Sequence, residues 1–446
     1  MSKSDSRESM NTIILAHERS LNKAEALLES YDNSILVIDR KTNTEEKSYI
    51  NRAKKIIISK NFDLVDIISN VNACNKIWCV SENLLPIQSQ LESYYGIENL
   101  SPFAAEILSN KQKFDDYCRK IGLGEFVPVS ATPTFHNQLD KFKNQEFFTK
   151  PDIGTGSNVF FPGSDQNAPN IEYRRWNNKH HFLKHLKDKK SHNDFFALNK
   201  QGIYTERFNF KPCRIMAQQY HWSEQPSVAP IGAIINSQIH IAFYLKMSKV
   251  KYGDLIDPNS SPIESHSHSK SSDIVKDRAV WITDSQDVSA DIKQKIDYFM
   301  KTLLDSLKVK NLFFAGPDFH ISEGRLIAID FNPRPGQFIN ILERLEGNSI
   351  IQSLINNCPT QIKTKLLWGC SVLQPGKIKT LKDTSSIKPF FNVQNTLIQE
   401  GIQVPEFQNL QNKAFNVNLD ITGSNEQELF ERYKTVNQLL QKCISY

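Results

Sequence analysis

Two aspartates, an asparagine and an arginine fall close together in NLFFAGPDFHISEGRLIAIDFNPRPG, residues 311–336. Asp318 and Asp330 flank a hairpin-like segment, and Asn332 and Arg334 follow the second aspartate at alternate positions. Side chains alternate between faces along a strand, so Asp330, Asn332 and Arg334 project from one side of an extended chain. Two carboxylates held close without a partner repel each other and shift each other's protonation. A divalent cation relieves that repulsion, and hard oxygen donors suit Mg²⁺, or Mn²⁺, shared with phosphates. Arg334 can then meet a phosphate through two parallel hydrogen bonds. Taken alone, the same segment reads equally well as a solvated strand end.

Register decides between the two readings. A three-residue turn at 322–324 sets Ile321 opposite Arg325 and Asp318 opposite Ala328. Asp318, Asp330 and Asn332 then share a face, the aspartates as diagonal neighbours. A two-residue turn sends the aspartates to opposite faces. Two lysines add to the picture. In TKPDIGTGSN (149–158), Lys150 ends a strand, and Gly154 and Gly156 let the backbone N–H groups of the loop close on phosphate oxygens. Lys111 opens the helix NKQKFDDYCRKIGL. Read singly, each is also an ordinary surface lysine or hairpin turn.

The elements that must hold these residues follow from periodicity. NSILVIDR (33–40), AKKIIISK (53–60) and KIWCVSE (76–82) are short apolar strands, with LNKAEALLESY and FDLVDIISNVN as helices between them. That alternation predicts a parallel, Rossmann-like unit over about 10–100, without the glycine fingerprint of a dinucleotide site. The opening MSKSDSRESMNTIIL reads as a frayed lead-in rather than a secretory signal. Ala104, Leu108, Phe114, Tyr117 and Ile121 recur at helical spacing, as do Ile292, Ile296, Phe299, Leu303 and Leu304. RIMAQQY and VAPIGAIINSQIHIAFYL are strands, and 252–275 is a long loop. A small α+β tail ends in the helix NEQELFERYKTVNQLLQK.

Bulk properties narrow the class. A chain of 446 residues exceeds one ordinary core, so two or three domains are expected. Hydrophobic content of 39% and charged content of 23% fit a soluble globular enzyme. The net charge of +5 is a mild surplus, no evidence for nucleic acid, although an anionic small ligand would be welcome. No apolar run is long enough for a membrane span. The seven scattered cysteines form no C-x-x-C pair, so reduced thiols in a cytoplasmic protein are expected. A homodimer is the default assembly. His266 and His268, the basic stretch 174–190, His320 and Arg325 receive no role.

Lys111 at a helix start, Lys150 before a glycine-rich loop, an acid in a strand, and IDFNPRPG together resemble the ATP-grasp superfamily, over residues 100–340. The tail, with GCSVLQPGKIK and GIQVPEF, is similar to that of carboxylate–amine ligases of the L-amino-acid (dipeptide) ligase type. The resemblance implies an α/β and α+β multidomain chain: an N-terminal domain over 1–100, an ATP-grasp domain over 101–365 with its lid at about 125–220, and an extension over 366–446. It implies that Lys111 and Lys150 bind ATP phosphates, with Gly154, Gly156 and Ser157 in a closing loop. Gln218, Gln219 and Tyr220 fall at the adenine hinge, and Glu224 falls near the ribose. The family usually has acidic residues where Gln218 and Gln219 stand, a departure. Asp318, Asp330 and Asn332 would hold Mg²⁺, and Arg334 would steady an acyl phosphate. The implied partners are small carboxylates and amines, amino acids among them.

Overall fold

In the computed structural model the described residues are 11–17, 21, 23–39, 52–153, 174–188, 192–202, 213–221, 227–251, 277–284, 288–322, 324–347, 349–358, 362, 364–372, 376–381, 400–401, 403–404 and 416–445. Three layers of sheet organise them. The first is parallel and four-stranded, in the order β3-β2-β1-β4, with β1 at Asn11–Ala16, β2 at Ser34–Ile38, β3 at Lys55–Ile58 and β4 at Cys74–Cys79. The end of the segment read as a frayed lead-in, from Asn11 on, is therefore an inner strand. Its NTIILA run pairs with both β2 and β4, and Ile13, Ile14 and Leu15 are fully buried. Six residues following a polar start were too short to show a period, and burial on both faces removes the alternation a strand otherwise displays. Helices α1 (Glu25–Ser30), α2 (Leu64–Asn70) and α3 (Leu85–Tyr95) cover this sheet.

The second sheet is antiparallel, in the order β5-β8-β6-β7, from β5 (Ser130–Ala131), β6 (Phe147–Pro151), β7 (Arg174–Trp176) and β8 (Ile215–Gln219). Phe142, Phe147, Trp176, Phe182 and Phe195 fill its core against α6 (Lys179–Asp188) and α7 (His192–Gln201). Most of the basic stretch at 174–190 thus lies on a strand and helix of this small unit.

The third sheet has eight strands in the order β14-β13-β9-β10-β11-β15-β19, with β12 also on β9. They are β9 (Ser227–Ile235), β10 (Gln238–Lys251), β11 (Asp277–Asp284), β12 (Leu312–Ala315), β13 (Asp318–Ser322), β14 (Arg325–Asp330), β15 (Lys365–Val372) and β19 (Asn416–Gly423). The outer strands β15 and β19 come from the predicted extension, where β16 (Gly376–Lys377) pairs β18 (Gln403–Val404) and β17 (Thr380–Leu381) pairs β20 (Ile444–Ser445).

The amphipathic stretch forms two helices, α4 (Pro102–Ser109) and α5 (Lys111–Lys120), and the second opens at Lys111 as expected. Asn110 breaks them: it is extended (φ −126°, ψ 115°) and its side chain caps α5 by accepting from the Lys113 N–H. Both helices bury their apolar residues in the same core. Beyond them, α8 (Ala290–Leu307) buries Ile296, Phe299, Leu303 and Leu304 as its spacing predicts. Helices α9 (Gln337–Glu346) and α10 (Ile350–Ile355) follow the arginine segment, and α11 (Glu426–Cys443) covers the extension. Among the described residues no helix is long and apolar enough to cross a membrane.

Candidate active site

The hairpin of β13 and β14 carries the acidic pair, and its register corrects the expected one. Ser322 pairs with Arg325 and Phe319 with Ala328, so the turn is two residues long rather than three. Uninterrupted, that register would set Asp318 opposite Ile329. Instead the ladder shifts between Asp318 and Phe319, and Asp318 pairs directly with Asp330. Ile329 is the extra residue of a β-bulge, and the bulge restores the shared face that the short turn would have abolished. On the other side of Asp318, Gly316 adopts φ +128°, and a Cβ there would sit 3.4 Å from the Asp330 carbonyl oxygen. Only glycine accepts both the conformation and that approach without strain.

Two directly opposed carboxylates carry an electrostatic cost. Burial, then the neighbouring Asp330, pushes the Asp318 carboxyl up to about 7, against the pull of Arg334 and Lys150. The donor set fits a hard divalent cation, whose charge would remove that repulsion. Among the described residues no group of three or more His, Cys, Asp and Glu side chains could hold a metal ion. An ion at this pair would take further ligands from Asn332 or from bound phosphates, the usual setting of Mg²⁺. In this structure Asn332 Oδ1 accepts from the Arg334 guanidinium at 3.2 Å.

Both predicted lysines converge on the pair. Lys111 Nζ lies 3.7 Å from Asp330 Oδ1. Its position follows from the break at Asn110: Asn110 bridges Ile153, and the Lys111 N–H donates to the Asp152 carbonyl at 2.7 Å. One turn on, Phe114 stacks on Phe331, the residue after Asp330, with ring centroids 5.8 Å apart. Burial alone would lower the Lys111 ammonium, but Asp330, Glu82 and Asp152 outweigh it and hold it above the usual lysine range. Lys150, 5% exposed, donates to the Ile329 carbonyl at 2.9 Å. The bulge frees that carbonyl from regular pairing. Burial lowers the Lys150 ammonium, and Lys111 lowers it further against the opposing Asp330.

Arg334 also reaches a group that the sequence did not single out. Its Nε is 3.6 Å from Glu82 Oε2, and Glu82 is 4% exposed. Glu82 lies three residues past β4, beside β1, at the carboxyl ends of parallel strands. The chain leaves β1 in one direction for β2 and β3 and returns to β4 on the other side, the switch point at which open α/β sheets bind ligands. Burial raises the Glu82 carboxyl against Lys111 and Arg334. Lys23, near the same edge, is lowered to about 7 by burial and by Arg334, with Glu82 opposing. An acid after a strand is a weak signal without the sheet order, so Glu82 was legible only once β1 was placed. Glu82, Lys111 and Asp330 line one cleft.

The hinge differs from expectation. The N–H groups of Gln219 and Tyr220 already donate to the carbonyls of Val129 (2.7 Å) and Glu146 (2.9 Å). The Gln218 side chain is buried and turned to Asp115 and Ile329. Gly154, Gly156, Ser157 and Glu224 lie outside the described residues, as do His266 and His268. His320 Nδ1 is 3.1 Å from the His221 carbonyl oxygen, at the rim of the hairpin.

No protein-family model and no curated protein matches the sequence. Solved structures match the fold along nearly its whole length. An L-amino acid ligase from Bacillus licheniformis superposes with a TM-score of 0.64 at 12% identity, covering 98% of both chains. N5-carboxyaminoimidazole ribonucleotide synthetase from Thermotoga maritima gives 0.56 at 11% identity, over 98% of this chain and 99% of that one. The carboxyaminoimidazole ribonucleotide synthase of Aspergillus clavatus, solved with ATP, gives 0.56 at 10% identity, over 97% and 99%. The chain shares the fold of these ligase and synthetase structures.

Proposed function

We propose that the chain is an ATP-dependent carboxylate–amine ligase. It would join a carboxylate to an amine, amino acids among them, through an acyl phosphate, with release of ADP and phosphate. The observation that carries this reading is the convergence of Lys111 and Lys150, from two different elements, on the facing Asp318–Asp330 pair. Phosphoryl transfer needs positioning and charge neutralisation more than proton chemistry, and this cluster supplies both. Lys111 and Lys150 bind phosphate oxygens, and Arg334 steadies the acyl phosphate. When Mg²⁺ is bound by Asp318, Asp330 and Asn332, it neutralises phosphate charge. Glu82 receives the ammonium of the amine substrate at the edge of the N-terminal sheet. The fold shared with an L-amino acid ligase supports an amino-acid substrate. The division into 1–100, 101–365 and 366–446 belongs to the same reading.

The test is incubation with ATP, Mg²⁺ and pooled amino acids, with ADP, phosphate and product mass measured. Substrate-dependent ADP with a new amide mass supports the ligase. Nucleotide binding without turnover under any pool overturns it in favour of a regulatory nucleotide binder.

A further inference from the structure

Gln218 occupies a position where the family pattern leads one to expect an acid. It is 3% exposed, and its Nε2 lies 3.1 Å from Asp115 Oδ2 and 3.4 Å from the Ile329 carbonyl oxygen. A primary amide has two N–H groups on one nitrogen, and here both directions end on acceptors. Asp115 sits on α5, four residues after Lys111 and so on the same helix face, and is 1% exposed. Ile329 is the bulged residue that turns Asp330 toward Asp318. Gln218 thus touches, through one nitrogen, the helix that carries Lys111 and the bulge that sets the acidic pair.

A glutamate at this position would fail. Its carboxyl would face the Asp115 carboxyl, which burial pushes up to about 7, and a carbonyl oxygen, so the three could be satisfied only by taking up and sharing a proton, at a cost in stability. The glutamine and the buried Asp115 are therefore one compensated feature, and the departure from the family pattern does not signal decayed chemistry.

Lys150 also donates to the Ile329 carbonyl, by the shorter bond of 2.9 Å. On the reading given above, that ammonium turns to a phosphate when nucleotide arrives. Gln218 is then the donor that stays on the bulge. We infer that Gln218 is a positioning residue, which holds the Ile329 bulge against α5 and so keeps Asp330 facing Asp318 while Lys150 serves the nucleotide. This inference rests on the ligase reading for the roles of the acidic pair and of Lys150.

The test uses the full chain and measures binding rather than turnover. Affinity for ATP is taken by calorimetry with Mn²⁺ and again with a chelator, for wild type, Gln218→Glu and Gln218→Met. The expected result is a tenfold or greater loss of Mn²⁺·ATP affinity in both variants, with less than threefold loss for metal-free ATP. Gln218→Met, close in size but without N–H groups, carries the test if the glutamate variant does not fold. Where it does fold, adding Asp115→Asn removes the clash and restores the melting temperature that Gln218→Glu lost. Wild-type Mn²⁺·ATP affinity in Gln218→Met overturns the inference. So does an equal loss with and without metal, the mark of general loosening, or a double variant that melts no higher than Gln218→Glu. Because no step depends on turnover, a failed ligase assay alongside the expected binding pattern refutes the ligase reading alone.

Discussion

Lys111, on the wall formed by α5, and Lys23, at the edge of the N-terminal sheet, are both drawn out of water. Their charges nevertheless respond in opposite directions. Lys111 faces Asp330, Glu82 and Asp152 and is held above the ordinary lysine range, whereas Lys23 meets Arg334 first and is lowered to about 7. Burial disfavours an ammonium in both places, and the sign of the nearest charges decides the outcome. The α5 and hairpin wall therefore keeps a fixed positive charge suited to phosphates. The N-terminal wall carries a lysine whose charge changes near neutrality, suited to a substrate group of variable protonation.

The largest expected effect comes from removing the carboxylate that ties the first wall together. Asp330→Asn should cut substrate-dependent ADP release by on the order of 10²–10³-fold, the scale of losing one preorganised electrostatic group. Its circular-dichroism melt should remain cooperative, and retained turnover would contradict the role given to the hairpin. Next in size is proton competition at the acidic pair. The Asp318 carboxyl is pushed up to about 7, so below that pH a proton occupies the site a cation needs. Mn²⁺·ATP affinity should fall by roughly tenfold per pH unit between 7 and 5, as expected for one competing proton. A flat profile there would show that Asp318 takes no part.

The second wall should give a smaller response. Since Lys23 is lowered to about 7, it loses its charge as pH rises from 6 to 8. The KM of a carboxylate-bearing substrate should rise over that range by about two- to fivefold, the scale of one partly exposed charge contact. Lys23→Met should hold KM at the high-pH value throughout, and an unchanged pH dependence in that variant would remove Lys23 from the site.

The smallest effect concerns stability. Asp318 is raised above the value near 4 expected in an unfolded chain, so folding favours its protonated form. That contribution is complete below about pH 4 and is lost as pH rises through 7. In metal-free protein, Asp318→Asn should raise the melting temperature at pH 8 by on the order of 1–2 °C and leave it unchanged at pH 4. A destabilised variant at pH 8 would mean that the ionised carboxylate is already well satisfied.

Residue chemistry was legible in the sequence to different depths on the two walls. Lys111, Lys150, Asp318, Asp330 and Arg334 could be chosen from type and spacing, and the structure gathers them around one hairpin. How they are gathered was not legible. A single bulge at Ile329 decides the hairpin's register, and it disturbs no apolar period. On the other wall Glu82 and Lys23 stayed hidden, because their meaning depends on a strand order that pairs β1 with β4 across some sixty residues. Gln218 was singled out by its place in the motif, with no direction given to its side chain. Its side chain faces inward because Asp115, about a hundred residues earlier, waits there for a donor.

The large sheet has one more consequence, for how the chain is made. Its strand β11 is covered on one edge by β15, which is covered in turn by β19 from residues 416–423. Nascent chains that have not yet extended past those residues leave β15 as the edge of the sheet, without α11 to cover its apolar face, and such edges recruit other strands. Ribosomes stalled before that point would release a protein holding every residue of the candidate site yet inclined to aggregate.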